Sequence, residues 1–183
     1  MTEINKSLLN NNNFRLLIDK VPTVEYYVQS VNIPSMVFLE TVMPSRVGID
    51  AYFPGDKVTF GNLSVTFLVD EDLENYKEMY DWMNAIVPIS DTKDYKDYVD
   101  TNTLSTGELA SINSDLIQYS QITLVTNTNK NLPNKFFKFY DCFPTGLGEI
   151  ELRSGSDAEA VTCTAEFRFT YFDIKIFNST TGA

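Results

Sequence analysis

Polar and apolar residues alternate most strictly near the end of the chain. Between Ala160 and Asp173, Val161, Cys163, Ala165, Phe167, Phe169 and Tyr171 share one face, and Thr162, Thr164, Glu166, Arg168 and Thr170 share the other. A period of two is that of a strand with one buried and one wet face. Thr, Val, Phe and Tyr also suit a pleated, half-buried surface. At ~3.4 Å per residue the run reaches about 40 Å, so it needs other long strands beside it. The pattern predicts an antiparallel β-barrel or β-sandwich whose core receives Val161, Cys163, Phe167 and Phe169.

The rest of the chain supplies candidates for the other strands. Phe14–Ile18 reads as a first strand, and Val24–Ile33 as a second, bracketed by Pro22 and Pro34. Lys57–Val69 is strand material with a bend at Gly61-Asn62. Gln121–Val125, Phe136–Phe143 and Glu149–Arg153 follow, the last two joined by a tight Pro144–Gly148 connection. Ser154–Asp157 is a hairpin signal leading into the final strand. One helix is expected over residues 72–86, capped by Asp70 or Asp72, with acids suiting its positive end. Leu73, Tyr76, Tyr80, Met83 and Val87 recur at spacings of three and four, with Met79 and Trp82 beside them. Such an aromatic stripe packs on a sheet more often than it forms a ligand box, so Leu73, Tyr76, Tyr80 and Met83 are expected in the core.

Two connections stand out. Residues 34–57 are punctuated by Pro34, Pro44 and Pro54, yet carry Met36, Val37, Phe38, Val42, Val47, Ile49, Tyr52 and Phe53. A connection this long is unusual without a task, and one this apolar is poorly suited to water. Either it folds back on its own core or a partner covers it. Residues 88–119 are instead polar, with Asp91, Asp94, Asp97 and Asp100 at every third position around Tyr95 and Tyr98. A calcium loop needs acids at alternate positions and a central glycine, so this reads as a solvated acidic insert. Residues 1–13 form a polar, asparagine-rich arm, frayed or ordered by a neighbouring subunit, and residues 178–183 a loose tail. The organisation expected is one domain over residues 14–177.

Composition narrows the function. With 183 residues, 43% hydrophobic and 21% charged, the chain resembles ordinary folded domains, but its net charge of −11 is extreme. That charge opposes gripping nucleic acid, which needs clustered Lys and Arg, and suits a surface that must not adhere to it. No charged-then-apolar leader and no run of ~18 apolar residues is present. Residence in a cytoplasm is therefore expected, and the three glycosylation sequons read as chance. Histidine is absent, which removes Ser-His and Cys-His nucleophiles together with the commonest general base and metal ligand. Cys142 and Cys163 read as buried thiols, with a disulfide left open. Gly146-Leu147-Gly148 does not extend to a dinucleotide fingerprint. Paired carboxylates of a hydrolase remain formally available, but the expectation is no enzyme, no cofactor and no metal.

Several blocks, in order, resemble the tail tube proteins of contractile-tailed bacteriophages. They are Asn13-Phe14-Arg15-Leu16 and Val31-Asn32-Ile33-Pro34; then Gly55-Asp56-Lys57-Val58-Thr59-Phe60, Leu63–Phe67, Asp70-Glu71 and a helix ending in Met79-Tyr80-Asp81-Trp82-Met83; then Phe143-Pro144-Thr145-Gly146-Leu147-Gly148-Glu149 before the long C-terminal strand. The Asn-rich arm, the 88–119 insert and the tail beyond Lys175 depart from the family pattern. The resemblance implies a structural subunit of the virion tail, assembled in the host cytoplasm as homo-hexameric rings stacked into a tube. It also implies a sheath around the tube, baseplate and tail terminator at its ends, and DNA passing through the lumen without specific binding, with no membrane involved. Residues 34–57 would then be the inter-ring contact, burying Val47, Ile49, Tyr52 and Phe53 against the next ring. The wet face of the last strand would line the bore or a subunit seam. Other readings are a tube-initiating baseplate subunit, a secretion-system tube homologue, or, in a different class, a ligand-carrying β-barrel.

Overall fold

The computed structural model describes residues 8–46, 48–87, 89, 119–155 and 160–176. Residues 1–7 of the arm, Val47, nearly all of the 88–119 insert and the tail 178–183 lie outside the described residues.

The elements run β1 (Phe14–Ile18), α1 (Pro22–Tyr27), β2 (Val28–Val31), β3 (Met36–Met43), β4 (Ala51–Phe60), β5 (Leu63–Leu68), α2 (Glu74–Ile86), β6 (Ser120–Asn127), β7 (Pro133–Leu147), β8 (Thr162–Arg168) and β9 (Tyr171–Ile176). Seven strands form one antiparallel sheet in the order β1-β6-β7-β8-β5-β2, with β9 also on β7. The expected mainly-β, antiparallel class is what the chain adopts. The second expected strand begins instead as a helix. Pro22 occupies its first turn, where a missing N–H costs nothing and a fixed φ helps, and Val24 is buried beneath it.

The fold turns on a corner in β7, its longest strand, and in the β8–β9 segment beside it. Tyr140 faces Tyr171 and Phe143 faces Arg168, so β8 and β9 follow one edge of β7 at the same offset on both sides of the bend. β7 bends at Asp141, which takes a left-handed φ of 55°. The partner chain bends at Phe169-Thr170, where Thr170 N–H donates to the Tyr140 carbonyl at 3.0 Å. The predicted final strand is thus two strands rather than one. Its alternation slips by one residue at the corner: Cys163, Ala165, Phe167 and Phe169 are buried, Val161 is half-buried, Tyr171 is exposed, and Phe172 takes the inward place. Phe60, Phe139, Phe169 and Phe172 fill the bend, with ring centroids 5.1–6.0 Å apart.

Helix α2 covers the sheet with a different face from the one its spacing predicted. Asn75, Met79, Trp82 and Ala85 are buried, whereas Leu73 is 47% and Tyr80 46% exposed. Tyr76 only packs at the margin of the core, and Met83 is half-buried. Two causes shift the face. Leu73 sits in the left-handed region just before the helix (φ 57°), outside its regular turns. The apolar arc of α2 is also wide enough for either stripe, and the bulk of Trp82, 6.0 Å from Phe167, decides between them, leaving tyrosines at the wet margin. Asp70 accepts from the Glu74 and Asn75 N–H groups at 3.2 Å, capping the helix as expected. Buried Asn75 donates to the Leu68 carbonyl at 2.7 Å, tying α2 to the end of β5. Glu149–Arg153, expected as a strand, has no ladder: Gly148 N–H donates to Thr164 O at 2.7 Å, and regular pairing ends there.

Candidate assembly surface

The 34–57 connection is not an irregular loop. It is a two-stranded antiparallel hairpin in which β3 and β4 pair only with each other, Val42 opposite Tyr52 and Met43 opposite Ala51. Its root is fixed in the core. Phe60 joins the aromatic corner, its carbonyl accepts from Arg168 Nη1 at 3.2 Å, and Gly61 N–H donates to Ser35 O at 2.9 Å. Midway, a register shift after Phe38 puts Leu39 against Gly55 so closely that a Cβ there would lie 2.2 Å from the Leu39 carbonyl oxygen. At the far end Ser45 N–H donates to Asp50 Oδ1 at 3.2 Å, and Gly48 supplies the left-handed φ of 82° that the turn needs.

Beyond the root, nothing among the described residues covers this hairpin. Met36, Val37, Phe38, Leu39, Val42, Met43, Ile49, Tyr52, Phe53 and Val58 stand 40% to 82% exposed. Val42 and Tyr52 lie on one face, Met43 and Phe53 on the other, so both faces are apolar. If each leaves about half of its ~150–200 Å² in water, the set amounts to on the order of 800 Å² of apolar surface. That exceeds the few hundred Å² usual for a monomer's largest patch and equals one partner's share of a standard interface. Of the residues expected to make an inter-ring contact, Ile49, Tyr52 and Phe53 belong to this surface, and Val47 lies outside the described residues.

Two further surfaces accompany it. The end of α2 and the end of β7 enclose a groove of about 560 Å³ lined by Tyr76, Tyr80, Met83, Val87, Ile89 and Leu147 among others. Here the tyrosines that missed the core find their place. On β5 and β8 the wet face is hydroxyl-rich: Thr66 and Thr164 are 3.2 Å apart through their hydroxyls, and Asn62 Nδ2 donates to Glu166 Oε2 at 3.0 Å.

Burial pushes the Cys142 thiol up to about 12 and raises Cys163 as well, so both are held as inert thiols, free rather than bridged. Among the described residues no group of three or more His, Cys, Asp or Glu could hold a metal ion. The core is filled by Trp82, Phe67, Phe139 and Phe167, all at 0% exposure. No helix among the described residues is long and apolar enough to cross a membrane. The sequence missed the groove because its lining comes from two distant segments, each of which reads as ordinary core.

Comparison with known proteins agrees with the fold. A family described as phage tail tube protein matches residues 3–175. The chain is 26% identical over 172 residues to the tail tube terminator protein of Enterobacteria phage T4, covering 91% of this chain and 88% of that one. Among solved structures it resembles the tube terminating cap of the anti-feeding prophage (TM-score 0.63, 13% identity, 95% of both chains). It also resembles a chain of the sheath-tube complex of the PVC extracellular contractile injection system (TM-score 0.57, 11% identity, 94% of this chain and 95% of that one).

Proposed function

The chain belongs to the phage tail tube protein family, and from that premise we propose that it is a non-catalytic ring subunit which closes the end of a contractile tail tube. Six copies form a ring coaxial with the tube, and the ring's bore passes the genome during ejection. The observation that carries this reading is the apolar hairpin β3–β4, rooted in the core yet uncovered on both faces. A subunit that spends its life alone would leave that surface in water at a continuing risk of aggregation. Copies placed around it, with the last ring of the tube against them, remove the risk, because a head-to-tail contact that closes makes a ring and one that does not makes a stack.

The position at the tube's end is supported by the likeness, over nearly the whole of both chains, to a protein named as a tail tube terminator. A second reading, a main tube subunit stacking indefinitely, is favoured by the hairpin having two apolar faces, enough for a ring on either side. In both readings the sheath surrounds the assembly and the hydroxyl-rich face of β5 and β8 lines the bore. The net charge of −11 then repels passing phosphates and keeps a water layer between wall and DNA.

Negative-stain microscopy with mass measurement across protein concentration tests the proposal. Rings of even bore that do not lengthen are expected, and rods would favour the second reading. Monomers at every concentration and salt would overturn both.

A further inference from the structure

We propose that the groove between α2 and β7 is the receptor for the hairpin tip of a neighbouring copy. This inference rests on the ring reading and names the surface that receives its exposed arm. The groove and the tip are two distinct apolar patches on one chain, and among the described residues a copy's own hairpin does not fill its groove: β3 and β4 pair with each other alone, and no hairpin residue lines the groove. Two different complementary patches are what a head-to-tail contact requires, whereas a two-fold dimer would present the same patch twice.

Chemistry matches at both ends. The groove exposes Tyr80, Val87 and Ile89 at its mouth, and the tip offers Val42, Met43, Ile49 and Tyr52. An eight-residue β3 at ~3.4 Å per residue carries that tip roughly 27 Å from its root, far enough to reach an adjacent subunit. The last turn of α2 contains no basic residue, and although the Val87 N–H caps the Met83 carbonyl, the carbonyl end still presents negative potential beside the groove. Arg46, in the hairpin turn, is the one cation between Glu40 and Asp56. Seating the tip in the groove places a guanidinium at the end of a helix whose last turn has no cation.

The test is thiol cross-linking between two singly substituted full-length chains. Ile49→Cys places a thiol on the tip and Val87→Cys one at the groove mouth. Both residues are exposed, so neither substitution threatens folding, and the native thiols are buried. With diamide as oxidant, the mixture should give a covalent dimer that neither variant gives alone, and Ile49→Cys mixed with Leu152→Cys, exposed but outside the groove, should not. Arg46→Glu in the tip variant should lower the yield several-fold, and Arg46→Lys should restore most of it. Intact rings under the microscope with no mixed dimer, or with Ile49→Cys linking mainly to itself, would overturn the docking while leaving the ring in place. Absence of rings as well would remove the reading on which it stands.

Discussion

The double substitution Val42→Lys with Tyr52→Glu separates folding from assembly. The two residues face each other across β3 and β4, so the new charges form a cross-strand pair that the hairpin itself tolerates. Neither side chain belongs to the hydrophobic core of the subunit. The melting temperature of the isolated subunit should therefore move by no more than about 2 °C, the shift expected from well under 1 kcal/mol. Assembly is a different matter. Tyr52 is 65% and Val42 46% exposed. Burying the whole of such a side chain is worth about 1.5–3 kcal/mol, so covering the exposed fractions of both contributes about 2–3 kcal/mol at each contact. Losing that raises the concentration for half-assembly about 30- to 150-fold. Burying the charged pair would add to the loss. Sedimentation velocity over a concentration series reads this directly. An unchanged midpoint would show that the hairpin is not the contact surface. A fall of ten degrees in the subunit's melting temperature would show that it is part of the core.

Three further outcomes follow from the packing. Trp82→Ala should cost about 3–5 kcal/mol in chemical denaturation because its site is wholly buried, while Tyr80→Ala, at the exposed margin, should cost under about 1; equal losses would contradict the observed face of α2. Asp70→Ala should cost about 1 kcal/mol by freeing the Glu74 and Asn75 N–H groups, and Asp70→Asn should recover part of it. Burial lowers Lys20 from its usual 10.5 to about 8, although the Trp82 ring, 5.5 Å from its Nζ, favours the charged form. Trp82 is the single tryptophan, so its fluorescence should titrate near pH 8 and lose that step in Lys20→Met. Between pH 8 and 10.5 the unfolded chain keeps a proton that the folded one has released, so Lys20 makes stability rise with pH there. Above pH 9 Cys142 acts in the opposite sense, the folded thiol staying protonated to about 12, which makes fluorescence the cleaner readout.

What was legible in the sequence is what depends on nearest neighbours along the chain. The period of two at Cys163–Phe169, the acid before α2 and the first strand at Phe14–Ile18 are local signals, and the chain obeys them. The departures come from contacts that local signals do not carry. At Phe169-Thr170 the period breaks because β7 bends at Asp141, far away in sequence, and the two chains must turn together. On α2 two apolar stripes compete, and the shape of the sheet beneath selects Met79 and Trp82. Glu149–Arg153 alternates but, among the described residues, pairs with no strand, and Leu152 is left exposed. The hairpin was the hardest to read because its alternation is masked by apolar residues on both faces. Its excess of apolar residues was nonetheless visible, and so was the choice it posed between its own core and a partner.

That choice bears on how the subunit reaches its assembled state. The core closes without the hairpin: of β3 and β4, only Phe60 at the root packs into it. Folding and assembly are therefore separable steps, and the apolar arm is presented by an already stable domain rather than by a partly folded one. A net charge of −11 on 183 residues keeps such domains apart at low salt, since like-charged copies meet slowly and a pairing must recover the repulsion through a well-fitted contact. Poorly matched encounters of two hairpins, each with apolar faces, bury area without recovering it. A contact that also brings Arg46 to the bare end of α2 offsets part of the repulsion at one geometry alone. In the proposed ring, the acidity that suits a wall facing DNA would also act during assembly as a filter that lets the arm's apolar surface bind only where it fits.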